Sequence, residues 1–306
     1  MKITIIGAGA MGCLFGGLLT ENGQEVCLLD VRTEQVEALN QHGLSILHAG
    51  KERVIKVRAT VDPAAIEQTD LALIFVKHQQ TAQAAQTAAR LLTKDGLILT
   101  LQNGMGNAEI IAQTVDAEKI LCGTTAQGAM LLGLGKIQHS GIGDTSIGMW
   151  NHRAQPRMAQ IAALFSTAGI ATQEVKDIAP TLWNKLFANV GINAITALTN
   201  IRNGQLLELE VTKALIQEAV EEAIKVAHSL SVPISPDALA NVFAIAQATA
   251  SNRSSMGQDV DQARITEVDA INGYIVRRAT EQGIEVPVNR TLTGLLKTLE
   301  GHYSAY

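Results

Sequence analysis

Lys2-Ile3-Thr4-Ile5-Ile6-Gly7-Ala8-Gly9-Ala10-Met11-Gly12, running into the apolar-periodic stretch Leu14 to Leu19, decides how this chain is read. Residues 2–6 have the composition of a buried strand, the glycines follow at once, and a helix pattern begins on the other side of them. Strand, tight turn and helix in that order are what a dinucleotide site requires. Gly7 permits the turn, Gly9 lets backbone N–H groups approach a pyrophosphate at the helix N-terminus, and Gly12 lets the helix pack closely on the strand. Gly7, Gly9, Ala10, Met11 and Gly12 are therefore candidate cofactor-binding residues, with the helix dipole rather than a lysine meeting the phosphate charge.

Working outward, Glu25 to Asp30 reads as a second strand, and Asp30 stands near the usual place of the residue that meets the adenosine ribose. A helix around Thr33 to Gln41 follows, then a more polar strand pair around Leu44 to Val57 and the apolar strand Leu71 to Val76. A helix from Thr81 to Leu92 leads to the strand Leu97 to Leu101. This alternation predicts a parallel sheet covered on both faces. From Ile120 to about Val175 the pattern is strand-like and glycine-rich, with one more βαβ-like segment through Ala159 to Ala168. Beyond Asp177 helical periodicity dominates, over roughly 178–199, 211–230, 236–250, 258–282 and 290–300. The expected fold is α/β: an N-terminal Rossmann-type parallel-sheet domain over 1–175 binding a dinucleotide, then an all-helical substrate and catalytic domain over 176–306.

Composition narrows the function. A chain of 306 residues has material for two domains, and with aromatics at only 3% its cores must be built from Ala, Ile, Leu and Val. A net charge of −5, without aromatics interleaved among basic residues, disfavours nucleic acid. Cys13, Cys27 and Cys122 share no redox or metal spacing, which fits a reducing compartment. The first strand starts at residue 2, leaving no room for a signal peptide, and the longest apolar run is too short to span a bilayer. The expectation is a soluble cytoplasmic protein with no membrane or nucleic-acid partner, a monomer or homodimer.

Three clusters carry chemistry. In the helix following Asp177, Lys185, Asn189 and Asn193 are spaced by four, which places them in one polar stripe on an otherwise apolar surface. An amide buried without a partner costs a few kcal/mol, so the stripe faces solvent, a hydrogen-bond network or a ligand. The second cluster is Asn252-Arg253-Ser254-Ser255-Met256-Gly257-Gln258-Asp259, followed by Thr266-Glu267-Val268-Asp269. Thr266 could cap a helix with Asp269 closing a capping box, which would leave Glu267 in the first turn, ionised by the dipole or simply decorating a helix start; the serines could be only a cap. The third cluster lies where open parallel sheets bind ligands: Lys77 and Gln80 after the strand ending at Val76, and Gln102-Asn103-Gly104-Met105-Gly106 after Leu101. The seven histidines, at 42, 48, 78, 139, 152, 228 and 302, show no metal-binding spacing, and no GxSxG elbow is present. No metal is expected.

These segments together resemble the ketopantoate reductase (2-dehydropantoate 2-reductase) family. The resemblance rests on GAGAMG at the start, VKHQQ at 76–80, LQNGMG at 101–106, LWNKLFANVGINAITAL at 182–198, NG at 203–204, SSMGQD at 254–259 and TEVDAINGYIVRRA at 266–279. It implies that Lys185 is the catalytic lysine and Glu267 the acidic residue on the substrate's hydroxyl that supports catalysis. It also places Asn189, Asn193, Asn203, Asn252 and Ser255 on the substrate, Ser255 at its carboxylate, and Asn203 closing the site. Asn103 would lie near both nicotinamide and substrate, and Lys77 and Gln80 on the cofactor side. The implied reaction is hydride transfer to the C2 ketone of ketopantoate, with the Lys185 ammonium stabilising and protonating the developing oxyanion, in pantothenate and coenzyme A biosynthesis.

One feature departs from the family pattern. NADPH-dependent members often carry a basic residue at the end of the second strand, where this chain has Asp30-Val31-Arg32. An acidic residue there accepts from a free ribose 2′-hydroxyl, which favours NADH, whereas Arg32 could hold a 2′-phosphate. The family points to NADPH, and Asp30 keeps NADH as the alternative. Two other readings stay open: a reductase of another 2-keto acid on the same fold, and a dinucleotide-sensing protein that performs no chemistry.

Overall fold

The computed structural model describes residues 1–151, 153 and 155–303, so His152, one of the seven histidines, lies outside the described residues. The chain divides into two compact units, one of Met1–Gln102 and Asn107–Ile178, the other of Asn103–Gly106 and the chain from Ala179 onward. Ile178 stays with the first unit because it packs on Gly148, where an added Cβ would come within 2.8 Å of it.

The first unit carries strands β1 (Lys2–Ile6), β2 (Glu25–Leu29), β3 (Leu44–His48), β4 (Lys51–Ile55), β5 (Arg58–Thr60) and β6 (Thr69–Ile74). It continues with β7 (Leu92–Thr100), β8 (Ile120–Thr125), β9 (Gly128–Gly133), β10 (Lys136–Gly141), β11 (Thr145–Met149) and β12 (Thr172–Glu174). Its helices are α1 (Ala10–Glu21), α2 (Thr33–His42), α3 (Thr81–Leu91), α4 (Asn107–Ile111) and α5 (Pro156–Thr167). Eight strands form the main sheet in the order β12-β11-β8-β7-β6-β1-β2-β5. Every neighbouring pair is parallel except β8 with β11. Ile3 of β1 pairs with Val26 on one side and Leu71 on the other. The central strands are apolar on both faces because both are covered, as a parallel sheet demands. The order reverses at β1 and β6, so their C-terminal ends form the crevice where such sheets receive ligands.

The polar strand pair read at 44–57 is the hairpin of β3 and β4, and it belongs to a second sheet, β4-β3-β10-β9. That sheet covers the outer side of α1. Within the helix, a Cβ on Gly16 would meet Leu28 Cδ2 of the main sheet at 2.6 Å, and one on Gly17 would meet Leu44 Cδ2 of the small sheet at 2.7 Å. The adjacent glycines bring α1 close to both layers. Mid-helix glycine costs about 1 kcal/mol relative to alanine, and here the close packing of two sheets offsets it.

The second unit is helical: α6 (Ala179–Thr199), α7 (Glu210–Ser229), α8 (Ala238–Ala248), α9 (Ser255–Asp261), α10 (Asn272–Gln282) and α11 (Pro287–Glu300). α6 is its axis. Phe187, Val190, Ala194 and Ile195 are buried, and a Cβ on Gly191 would meet Val220 of α7 at 2.9 Å and Val242 of α8 at 3.0 Å.

The single helix expected over 258–282 is two helices with a break. Ala263 adopts a left-handed φ of 48°, while Ala263 N–H donates to Val260 O at 3.0 Å and Arg264 N–H to Asp259 O at 2.8 Å, a Schellman ending on α9. Alanine stands where glycine usually marks such a stop, and the periodicity therefore reads through it. The capping box expected at Thr266 does not form either. Thr266 Oγ1 donates to Glu300 Oε1 at 2.6 Å and accepts from Val268 N–H at 3.1 Å, while Asp269 pairs with Lys297 Nζ at 2.7 Å. Glu267 stands ahead of a three-residue 3₁₀ turn, Val268–Ala270, rather than in the first turn of a helix.

Candidate functional site

The two units each carry one set of candidate residues. In the first, Gly7 has φ +102° and a Cβ there would lie 2.9 Å from the Phe75 carbonyl carbon and the Val76 nitrogen, so the turn passes close against the end of β6. A Cβ on Gly12 would fall 1.9 Å from Gly7 O. Both glycines are demanded by the protein's own backbone. Gly9 is different: its φ of −74° suits any residue and a Cβ there would meet nothing within 4 Å. Gly9 caps α1 with no side-chain hydrogen bond, and Gly9, Ala10 and Met11 are partly exposed. A helix N-terminus with uncapped N–H groups and a bare glycine beside it fits a pyrophosphate pressed onto the backbone.

Side chains hold this turn from behind. Asp30 is buried, and its Oδ2 accepts from Ala8 N–H at 2.7 Å while its Oδ1 accepts from Arg32 N–H and Nε at 3.0 Å. The Arg32 guanidinium also donates to Asp30 Oδ2 at 3.2 Å and to Ala8 O at 3.3 Å, and the Asp30 hydrogen bond raises its pKa above the ordinary arginine value. Gln35, which sequence reading passed over, donates to Ala8 O at 3.0 Å and accepts from Gly135 N–H at 3.0 Å. No local pattern marks it, since its partners lie 27 and 100 residues away along the chain.

Lys77 precedes and Gln80 ends a 3₁₀ turn, His78–Gln80, after β6. This loop is tied to the one after β7: Gln102 Nε2 donates to Val76 O at 2.7 Å and to Thr81 Oγ1 at 2.9 Å, and the His78 ring lies 2.7 Å from Asn107 Oδ1. Lys77 is partly exposed and Gln80 exposed.

The second unit brings together most of the other set. Lys185, Asn189 and Asn193 lie along α6 as the spacing predicts. Asn189 Nδ2 and Asn193 Nδ2 are buried without a hydrogen-bond partner, and Asn193 as a whole is only 5% exposed. Such an orphan costs about 1–3 kcal/mol, so two of them one turn apart are suited to an acceptor that the protein itself does not supply. Lys185 is partly exposed as a residue, yet desolvation is the largest influence on its ammonium and brings its pKa down to about 8, with the Glu267 carboxylate opposing the shift. It remains an acid at neutral pH. Glu267 is buried, and Asn103 Nδ2 makes a long contact of 3.5 Å to its Oε2. The segment bearing Asn103 is anchored by Met105 N–H donating to Ala270 O at 2.7 Å.

Asn203 and Asn252 are joined through the backbone, Asn203 N–H donating to Asn252 O at 3.0 Å. Asn203 Nδ2 donates to Thr249 Oγ1 at 2.9 Å and its buried Oδ1 has no partner. The two serines divide their labour. Ser254 is the buried cap of α9, its Oγ accepting from Gly257 N–H at 3.0 Å, whereas Ser255 is exposed and available to a ligand. Among the described residues no group of three or more His, Cys, Asp or Glu could hold a metal, and no helix is long and apolar enough to cross a membrane.

Residues 3–152 match the family model described as ketopantoate reductase PanE/ApbA, and residues 177–300 the corresponding C-terminal model. The chain is 37% identical over 299 residues to a 2-dehydropantoate 2-reductase of Halobacterium salinarum, covering 97% of this chain and 98% of that protein. It is 33% identical over 305 residues to one from Vibrio cholerae, covering 99% of each. The crystal structure of a ketopantoate reductase of this family from Ralstonia eutropha superposes with a TM-score of 0.92 at 32% identity, covering 99% of this chain and 100% of that one. D-mandelate dehydrogenase with NADH and anilino(oxo)acetate gives the same TM-score of 0.92 at 29% identity, with the same coverage of both chains.

Proposed function

The chain belongs to the ketopantoate reductase family, a family of oxidoreductases, and from that premise we propose that it reduces 2-dehydropantoate to pantoate with NADPH, Lys185 acting as the general acid. The observation that carries this reading is the α6 stripe, where an ammonium of pKa about 8 shares a helix face with two orphaned amides. Binding alone has no use for a proton donor at the head of such a stripe.

A reduced nicotinamide, when bound, supplies hydride to a carbonyl carbon. The glycine turn and the first N–H groups of α1 would hold its pyrophosphate, with Lys77, Gln80 and Asn103 toward the rest of the cofactor. Arg32 would meet the 2′-phosphate. Asp30 does not oppose this, because its oxygens already accept from Ala8 and Arg32. On the substrate side, Asn189 and Asn193 donate to its oxygens, Ser255 and Asn252 meet the carboxylate, Asn203 closes the site, and Glu267 accepts from the hydroxyl. Lys185 Nζ stabilises the negative charge growing on the C2 oxygen and transfers its proton there, a role typically worth 10²–10⁴-fold. Cytoplasmic location and a place in pantothenate and coenzyme A biosynthesis accompany this reading.

NADH-dependent reduction of a different 2-keto acid is the second reading, favoured by the D-mandelate dehydrogenase likeness. NADPH and NADH consumption at 340 nm with ketopantoate, set against a panel of 2-keto acids, separates the two. Lys185→Ala is expected to lower kcat by about 10²–10⁴-fold with NADPH binding intact. Near-normal turnover by the folded variant would remove Lys185 from the chemistry.

A further inference from the structure

Arg253 has no role in the reaction proposed above, yet its side chain is only 15% exposed and is held by acceptors from several parts of the unit. Its Nη1 donates to Thr196 O at 2.5 Å and to Ile201 O at 3.0 Å, carbonyls at and just beyond the last turn of α6. Its Nε and Nη2 grip the Asp261 carboxylate at the far end of α9 at 2.9 and 2.8 Å, and Nη2 reaches Gly257 O at 3.4 Å. A planar fork with five donors can satisfy four acceptors in three directions at once, and an ammonium cannot.

A second, independent observation says that the local backbone accommodates this fork. A Cβ on Gly257 would lie 2.5 Å from Arg253 Cζ and 2.6 Å from its Nη1. Gly257 sits inside α9 at no unusual φ, so what the glycine provides is room for the guanidinium. The neighbouring hydroxyls reinforce the same junction, with Thr196 Oγ1 2.7 Å from Ser254 Oγ.

The geometry points to Arg253 as a positioning residue for substrate recognition, with Gly257 as its seat: the pair locks the segment bearing Asn252 and Ser255 in one register on α6, the helix bearing Lys185, Asn189 and Asn193. The clamp sets the spacing between the groups that take the substrate's carboxylate and those that work on its ketone. This rests on the assignment of Ser255 and the α6 stripe to the substrate.

Arg253→Lys keeps the charge and removes the fork, while Gly257→Ala keeps the arginine and displaces it. Both are expected to raise KM for the keto acid roughly tenfold or more, each tenfold corresponding to about 1.4 kcal/mol. They should leave the dissociation constant of NADPH unchanged and kcat within a few-fold of wild type. Hydrogen exchange of the 252–261 amides should quicken in both variants. If only charge matters, Arg253→Lys will keep a wild-type KM, and that result overturns the proposal, as does an unchanged KM in Gly257→Ala. A loss of kcat and NADPH affinity in parallel with melting temperature would show general destabilisation and also overturn it. Kinetics use ketopantoate, or whichever panel acid the wild type reduces. Wild-type inactivity on ketopantoate refutes the substrate assignment alone, whereas variants that match the wild type on its own substrate refute the clamp.

Discussion

Alanine substitutions in the glycine turn separate what the fold needs from what a ligand needs. At Gly9 the backbone is already in a region open to any residue, and an added Cβ meets nothing within 4 Å. Alanine is a somewhat poorer N-cap than glycine, but restricting the unfolded chain returns about 0.4–1 kcal/mol, so stability should change by no more than about 0.5 kcal/mol. At Gly12 the Cβ would stand 1.9 Å from Gly7 O, an overlap that forces backbone to move and costs about 1–3 kcal/mol or more. For a unit of this size, Gly12→Ala should lower the melting temperature by about 2–4 °C per kcal/mol, and Gly9→Ala by roughly 2 °C at most. Cofactor binding should rank the other way round. The methyl group of Gly9→Ala occupies the approach to the helix amides, and losing one charge-assisted hydrogen bond of about 1.5–3 kcal/mol weakens NADPH about ten- to a hundredfold. Melting curves without cofactor, paired with fluorescence titration of NADPH, read both quantities. Wild-type affinity in a stable Gly9→Ala protein would refute the assignment of this helix end to the pyrophosphate.

Because Lys185 must be protonated to act and its pKa lies at about 8, kcat/KM for reduction should fall about tenfold per pH unit above pH 8. Glu267→Gln, which removes the charge holding that pKa up, should move the alkaline limb to lower pH, and a limb near the ordinary lysine value of 10.5 would contradict the desolvated site. Arg32→Ala should weaken NADPH by about 1.5–3 kcal/mol and leave NADH little changed; equal weakening of both, in equilibrium titrations, would reduce Arg32 to a support for the glycine turn. Asn193→Leu removes an orphaned donor and keeps the branched four-atom side chain, so it should gain roughly 1 kcal/mol of stability while raising KM for the keto acid at least tenfold. A lower melting temperature with unchanged KM would make that amide structural.

What could be read in advance was local. A strand, a glycine turn and a helix within twenty residues announce the first unit, and spacing by four on α6 announces the stripe. The small sheet was not legible, because β3 finds its parallel partner β10 across some ninety residues, Ser45 opposite Lys136, and short half-polar strands carry no signature of so distant a pairing. The break after α9 was hidden by Ala263 in a conformation usually left to glycine. At the site, residue types could be named from sequence, but that the Nδ2 atoms of Asn189 and Asn193 are buried without partners follows only from the fold, and the work of Gln35 and Arg253 only from carbonyls brought to them by other elements.

The place of α1 between two sheets has a bearing on how the protein comes off the ribosome. With Gly12, Gly16 and Gly17 in twelve residues, this helix is a poor one on its own, each glycine costing about 1 kcal/mol against alanine. It is held by its slot, and one wall of that slot, β10, ends at Gly141. The turn assigned to the cofactor is thus synthesised well before the strand that secures it. At about 5–20 residues per second, translation leaves an interval on the order of ten seconds in which the emerging chain exposes an apolar helix sequence without its cover. Nascent chains stopped before β10 should accordingly depend on chaperones, and a cofactor in the medium can assist folding only after the second sheet has been made.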